Sequence, residues 1–124
     1  MDKRDQSVPA DALQALRDQL RQFALERDWD QFHSPKNLVS ALAVEAAELL
    51  EPFQWLTGEQ SSRLTSEQLA AVREEMADVL LYLIRLADKL DVDLVTAASE
   101  KLVRNAEKYP VARARGSSRK YTDL

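Results

Sequence analysis

Residues 65–90, TSEQLAAVREEMADVLLYLIRLADKL, are the most informative part of the sequence about the fold. Thr65 and Gln68 have the spacing of a capping box, so we expect a helix to begin there and to run to about Leu90. Residues 79–84, VLLYLI, are apolar on almost every side of such a helix. Because a helix of this kind must be covered by neighbours on several sides, we place it at the centre of a helical bundle.

The rest of the chain also favours helices. It contains two glycines and four prolines and lacks the alternating β-branched residues that are typical of strands. Ser34 can cap a helix that starts at Pro35, since proline suits the first helical position. The predicted helices cover about residues 9–28, 35–55, 65–90 and 91 or 93 to 109, with a polar loop over 58–63. We therefore predict an all-α, four-helix bundle-like fold over residues 1–110 and an extended basic tail over 111–124.

Length and composition exclude several classes of protein. The 124 residues make one domain, and no apolar run approaches the roughly 20 residues that a membrane span needs. The absence of cysteine and the presence of one histidine exclude a zinc–thiolate site, a thiol nucleophile and a cluster of histidine ligands. The first residues lack the apolar segment of a secretory signal, so the expected location is cytoplasmic.

Charge is unevenly distributed along the chain. Residues 101–124 contain seven Lys or Arg and two acidic residues, a net charge of +5, which leaves −9 for the remainder. An acidic body would repel nucleic acid, so we expect no nucleic-acid partner. The basic segment is either a phosphate-binding arm or a solvated tail, and charge alone leaves both interpretations open.

The second predicted helix has a carboxylate within its apolar stripe. At 100° per residue, Glu45 lies about 20° from Leu38, Glu48 lies on the flank of the stripe, and Glu51 points elsewhere. A buried lone carboxylate costs several kcal/mol unless a cation or strong donors compensate its charge. Glu45 therefore requires a partner.

The central helix has a matching acidic pair. Glu75, Asp78 and Tyr82 share one of its faces, and two acidic i, i+3 pairs on adjacent helices can form a four-carboxylate cage for Mg²⁺ or Mn²⁺. The alternative is that these acids are solvated or pair with Arg73 and Arg85. A di-iron site is disfavoured because it typically needs Glu-x-x-His motifs. The main apolar stripe of this helix consists of Leu69, Met76, Leu80, Leu83 and Ala87.

The pairs Glu45-x-x-Glu48 and Glu75-x-x-Asp78 resemble the ExxE…ExxD signature of the MazG-like all-α nucleoside triphosphate pyrophosphohydrolases. The chain also resembles the dCTP pyrophosphatase branch of that family at residues 26–33 (ERDWDQFH), 35–38 (PKNL), 53–55 (FQW), 105–110 (NAEKYP) and 117–122 (SSRKYT). The resemblance implies a homotetramer that cleaves a deoxynucleoside triphosphate, dCTP or a 5-modified analogue, to the monophosphate and pyrophosphate with Mg²⁺.

The resemblance also implies roles for individual residues. The four carboxylates Glu45, Glu48, Glu75 and Asp78 would bind the metal, and either Glu45 or Glu48 would be catalytic by accepting a proton from the attacking water. The phosphate-binding residues would be Lys101, Lys108 and Lys120.

The base-binding residues implied by the resemblance are Trp29, His33, Trp55, Tyr82 and Asn105. Aromatic rings stack on a base without reading it, so selectivity needs donors such as His33 or Asn105. Each tryptophan could instead be a core or interface anchor. His33 could instead be a connector side chain bonded to nearby backbone, and Tyr82 could be a core residue. Some members of the branch have a histidine where Leu20 stands here, which puts cytosine preference in question. The alternatives are a broad-specificity MazG-like pyrophosphohydrolase and a non-catalytic nucleotide- or metal-binding helical module.

Overall fold

The computed structural model describes residues 11–124, which form helices and turns and contain no β-strand. The start of the first predicted helix, at Pro9, lies outside these residues. The α-helices are α1 (Ala12–Glu26), α2 (Pro35–Leu50), α3 (Gly58–Ser61), α4 (Ser66–Leu90), α5 (Leu94–Lys108) and α6 (Val111–Ala114). Two 3₁₀ turns cover Asp30–Phe32 and Tyr121–Asp123. The all-α prediction is confirmed for the described residues.

Side-chain caps begin α2 and α4 where the sequence predicts them. The Ser34 hydroxyl accepts a hydrogen bond from the Asn37 N–H at 3.1 Å. At α4, the Thr65 hydroxyl accepts from the Gln68 N–H at 3.1 Å, while the Gln68 side chain accepts from the Thr65 N–H at 2.9 Å. These bonds satisfy N–H groups that the first turn of a helix leaves free.

Helix α2 ends five residues before the predicted boundary at Trp55. Its last residue is Leu50, and residues 51–55 form turns. Pro52 explains the early end, because proline has no N–H to donate to the carbonyl four residues earlier and its ring clashes with that carbonyl.

The loop predicted over residues 58–63 contains the one-turn helix α3. Its start has a second capping box, in which the Thr57 hydroxyl accepts from the Gln60 N–H and the Gln60 side chain accepts from the Thr57 N–H. The prediction of a polar loop is therefore wrong for these four residues, because local capping stabilises a single turn that has no apolar periodicity.

The C-terminal segment is not the extended tail predicted from its composition. Helix α6 follows Pro110, whose carbonyl accepts from the N–H groups of Arg113 and Ala114. The 3₁₀ turn near the end brings the Tyr121 ring edge-on to Tyr109, with 5.9 Å between the ring centroids. Proline at the helix start and this aromatic contact account for the extra structure.

The chain divides into two compact units, one ending at Asp91 and one covering Val92–Leu124. In the first unit, α1 and α2 both pack against α4, so α4 is the central helix of that unit, as the sequence predicts. The core residues of this unit are Ala24, Leu38, Val72, Ile84 and Ala87. The second unit contains α5, α6 and the last 3₁₀ turn.

One apolar face of α4 is exposed in the single chain. Of the five residues in the predicted main stripe, Ala87 is buried, whereas Leu69, Met76, Leu80 and Leu83 are 37–56% exposed. Because residues 79–84 of α4 are apolar on almost every side, the helical periodicity there does not select which side meets α1 and α2. None of the helices within residues 11–124 is both long and apolar enough to cross a membrane.

Candidate active site

Three carboxylates converge between α2 and α4. Glu45 and Glu48 lie one turn apart on α2, and Glu75 lies on α4. One oxygen from each of these half-buried side chains lies within 4.8 Å of the others. The packing of α2 against α4 produces this convergence, since it brings the acidic faces of the two helices together. The structure thus unites three of the four predicted metal ligands.

Two oxygens of this cluster are buried without a partner. The Oε2 atoms of Glu45 and Glu75 have no solvent contact and no hydrogen-bond donor within the described part of the chain. Arg85, which the sequence offers as a possible partner, pairs instead with Asp30 and Asp88. Buried carboxylate oxygens without donors are costly, and a divalent cation with oxygen ligands is the chemistry that compensates them. The cluster therefore fits Mg²⁺ or Mn²⁺.

The electrostatics of the cluster agree with a cation site. The neighbouring Glu75 carboxylate raises the pKa of Glu45 above its ordinary value, and burial adds to the rise. Glu45 in turn raises the pKa of Glu48. Both shifts have the direction expected for like charges held close together, and a bound cation would offset them.

Asp78, the fourth predicted ligand, occupies an intermediate position. It lies one turn after Glu75 on α4, and its charge contributes to the raised pKa of Glu45. Its oxygens are not part of the group that meets within 4.8 Å. Asp78 also lines a cavity, so it stands between the carboxylate cluster and that cavity.

The cavity has a volume of about 490 Å³, within the range of small-molecule sites. Its walls come from α1, α4 and the connector between α1 and α2. Three of the predicted base-binding residues, Trp29, His33 and Tyr82, line it, together with Leu20. The other lining residues are Leu16, Gln19, Phe23, Ala24, Asp78, Leu81 and Arg85. The structure therefore brings three predicted base-binding residues to one largely apolar cavity.

The two tryptophans have different environments. Trp29 packs edge-on against Phe23, with 5.6 Å between centroids, and against His33 at 6.5 Å. Trp55 lies in the turns after α2, is 85% exposed and does not line the cavity. Of the two predicted base-stacking tryptophans, only Trp29 therefore lines the cavity of the single chain.

The remaining predicted residues belong to the second unit. Lys101, Asn105 and Lys108 lie on α5 at the spacing of one helix face, with Asn105 half-buried and both lysines exposed. Lys108 lowers the pKa of Lys101, as expected for neighbouring cations. The Lys108 Nζ atom also lies 5.0 Å from the centre of the Tyr121 ring. Lys120 is exposed and precedes the last 3₁₀ turn.

Sequence reasoning missed a buried cation in the cavity wall. Arg85 is 5% exposed and donates to His33, Asp30 and Asp88. The sequence does contain an indication that Arg85 is buried, because Arg85 comes directly after the apolar residues 79–84 of the central helix. A cation at such a position requires several acceptors, because burial of an unpaired charge is strongly unfavourable.

Comparison with known proteins identifies the family. A model of the MazG-like family matches residues 40–124. The protein dCTP pyrophosphatase 1 of Homo sapiens is 48% identical over 118 residues, which cover 94% of this chain and 69% of the human protein. Its Rattus norvegicus counterpart is 44% identical with the same coverage. The crystal structure of a pyrophosphatase from Archaeoglobus fulgidus has a TM-score of 0.75 and 38% identity, covering 79% of this chain and 92% of that one. With these matches added to the acidic pairs on α2 and α4, this chain belongs to the MazG-like family.

Proposed function

We propose that this protein hydrolyses dCTP, or a 5-modified dCTP, to the nucleoside monophosphate and pyrophosphate. The observation that carries the proposal is the cluster of Glu45, Glu48 and Glu75, which has two buried, unpartnered oxygens. Asp78 connects this cluster to a cavity large enough for a base. The substrate follows from the mammalian relatives, which are named dCTP pyrophosphatase 1.

The carboxylates hold a divalent cation in this proposal, and Mg²⁺ is the expected ion. The metal ligands are Glu45, Glu48, Glu75 and Asp78. When bound, Mg²⁺ supplies charge neutralisation at the phosphates and activates water for in-line attack. Glu45 or Glu48 accepts the proton of the attacking water.

The base occupies the cavity beside the carboxylates. Trp29 and Tyr82 supply aromatic surface, and His33 supplies a polar group at the wall. Trp55 and Asn105 complete base binding in this proposal. The outgoing pyrophosphate binds Lys101, Lys108 and Lys120, whose positive charges attract an anion.

A MazG-like pyrophosphohydrolase with broad base choice is the second candidate, and Leu20 favours it. This residue lines the cavity at the position where some members of the branch have a histidine. An apolar side chain there offers no hydrogen bond to a base edge, so contacts that depend on base identity are fewer.

A nucleotide panel tests the proposal directly. The purified protein is incubated with Mg²⁺ and each of dCTP, 5-methyl-dCTP, dUTP, dTTP, dATP and dGTP, and the products are separated. We expect dCMP and pyrophosphate from dCTP, with turnover abolished by a chelator. Equal rates for all six nucleotides would favour the broad-specificity candidate. Release of orthophosphate and dCDP, or no turnover at all, would contradict cleavage between the α- and β-phosphates.

A further inference from the structure

The cavity wall contains a hydrogen-bonded network centred on Arg85, which is not part of the metal site. The guanidinium donates from Nε to the Nδ1 atom of His33 at 3.1 Å. It also donates from Nη1 to Asp88 at 3.2 Å and from Nη2 to Asp30 at 2.6 Å. All three partners are side-chain acceptors, and Arg85 and His33 both line the cavity.

Arg85 is not needed to neutralise either aspartate. The Lys89 ammonium donates to Asp30. The Arg21 guanidinium donates to Asp88 from two of its three nitrogens, at 3.1 Å from Nε and 2.5 Å from Nη2. The network therefore has three cations for two carboxylates. The contact that only Arg85 makes is the one with His33.

That contact determines where the imidazole proton resides. Arginine is always a donor, because its guanidinium stays protonated in proteins. The Nδ1 atom of His33 must therefore accept with its lone pair, which leaves the ring proton on Nε2. The pKa of His33 is lowered by burial and by the charges of Arg85 and Lys89, against the opposing charge of Asp30. The ring is accordingly neutral at physiological pH.

We propose that Arg85 is a positioning residue that holds His33 in the Nε2–H tautomer, so that His33 offers the cavity a hydrogen-bond donor and never an acceptor. This inference rests on the proposed function and names the base edge that the site prefers. Cytosine presents an acceptor at N3, whereas uracil presents an N–H donor there. An imidazole that exchanges between tautomers could form a hydrogen bond with N3 of cytosine or with the N3–H of uracil. A ring held in the Nε2–H tautomer can only donate, so it favours cytosine.

The tautomer is measured in the free protein by long-range ¹H–¹⁵N NMR of the imidazole. His33 is the single histidine of the chain, so an untagged protein gives one imidazole spin system. We expect a protonated Nε2 and an unprotonated Nδ1 in the wild type. An Nδ1–H ring, or averaged signals from both tautomers, would overturn the proposal without reference to any nucleotide.

Two variants separate the hydrogen bond from the charge of the network. Arg85→Met removes the donor to His33 but leaves Asp30 paired with Lys89 and Asp88 paired with Arg21. Lys89→Met is the matched control, since it removes a cation from the same network without touching His33. We expect mixed tautomers in Arg85→Met and the wild-type tautomer in Lys89→Met. The same change in both variants would assign the effect to charge and overturn the proposal.

The functional readout is the ratio of kcat/KM for dCTP to that for dUTP. Arg85→Met should lower this ratio about 3- to 10-fold, the size of one neutral hydrogen bond, through KM for dCTP with kcat little changed. His33→Asn should lower the ratio similarly, because an amide can turn either a donor or an acceptor toward the base. If Arg85→Met does not fold, His33→Asn alone tests whether His33 distinguishes dCTP from dUTP. An unchanged ratio would overturn the base-reading role. No turnover of dCTP by the wild type would instead overturn the proposed function. The NMR result on the tautomer would not be affected, because it is measured without nucleotide.

Discussion

At the scale of single residues, Glu45 and Glu48 connect the stability of the protein to pH. Their pKa values are raised above the ordinary 4.5 because each lies beside another carboxylate. A raised pKa in the folded state means that the protonated form is favoured by folding. The resulting stability is present below pH 4.5 and is lost as the pH rises through the folded-state pKa values.

We therefore expect the metal-free protein to become more stable as the pH falls from 7 toward 5. The melting temperature should rise over this interval, because folding favours the protonated form of both carboxyl groups. The gain in melting temperature on adding Mg²⁺ should shrink over the same interval, because the metal binds ionised carboxylates.

Glu45→Gln provides the control for this pH dependence. Asp30 and Asp88 have lowered pKa values, so their ion pairs weaken only below their ordinary value of 3.8 and contribute equally to both proteins. The difference in melting temperature between wild type and Glu45→Gln, followed across pH, therefore reports the carboxylate cluster alone. Parallel melting curves for the two proteins across pH 5–7 would contradict the assignment.

At the scale of secondary structure, the start of α4 contributes stability without belonging to the site. The capping box at Thr65 lies ten residues before Glu75 on the same helix. Thr65→Ala should lower the free energy of unfolding by about 0.5–2 kcal/mol, the usual value of a lost N-cap. Turnover at temperatures well below the melting point should remain close to wild type.

Chemical denaturation followed by circular dichroism measures this effect. Ser66→Ala is the matched control, because Ser66 is exposed and makes no capping bond in the structure. Equal stability of Thr65→Ala and Ser66→Ala would contradict the role of the cap. A large loss of turnover in fully folded Thr65→Ala would indicate that the start of α4 influences the site.

The elements also show which features can be predicted from sequence. Helix starts are local, so Ser34 and Thr65 mark them correctly, and the facing acidic pairs predict that Glu45 and Glu75 meet. The predicted end of α2 at Trp55 is wrong because the apolar periodicity continues past Pro52, whereas the helical backbone does not continue through a proline. Short turns such as α3 leave no periodic signal.

Features that depend on tertiary contacts were not predictable in the same way. The ion pair of Arg85 with Asp30 joins residues 55 positions apart, and no spacing rule connects them. The side of residues 79–84 that meets the neighbouring helices is likewise set by tertiary contacts, since these residues are apolar on almost every side of α4. The cavity depends on this ion pair and on the packing of α4, so the position of Arg85 in its wall could not be predicted from the sequence.

At the scale of the whole molecule, the exposed apolar face of α4 leads us to expect an oligomer. Leu69, Met76, Leu80 and Leu83 form this face, and an exposed apolar patch of this kind is typical of an interface between subunits. Sedimentation at micromolar concentration should give a multiple of the 14.1 kDa chain mass, and the expected multiple is the tetramer that the sequence resemblance implies. Leu80→Glu should dissociate it. A stable wild-type monomer would contradict this expectation.

Assembly also bears on Trp55, which does not line the cavity of its own chain. If it stacks on the base, Trp55→Ala should weaken nucleotide binding by roughly 1–3 kcal/mol, about 5- to 150-fold. The chain has two tryptophans, so the emission of this variant reports Trp29 alone. Titration with a non-hydrolysable dCTP analogue measures the affinity, and sedimentation measures assembly. Unchanged affinity with a broken oligomer would make Trp55 an interface anchor instead.

In the proposed function, the carboxylates between α2 and α4 hold the metal on which dCTP hydrolysis depends. The most direct measurement compares Glu45→Gln with Glu51→Gln, the same substitution at the exposed C-terminal end of α2. Turnover of dCTP is measured across a Mg²⁺ titration, together with the Mg²⁺-induced gain in melting temperature. Glu45→Gln should lose about 100-fold or more of turnover and nearly all of the gain, while Glu51→Gln stays within about twofold of wild type. Equal losses in both variants, or full activity in Glu45→Gln, would contradict the account.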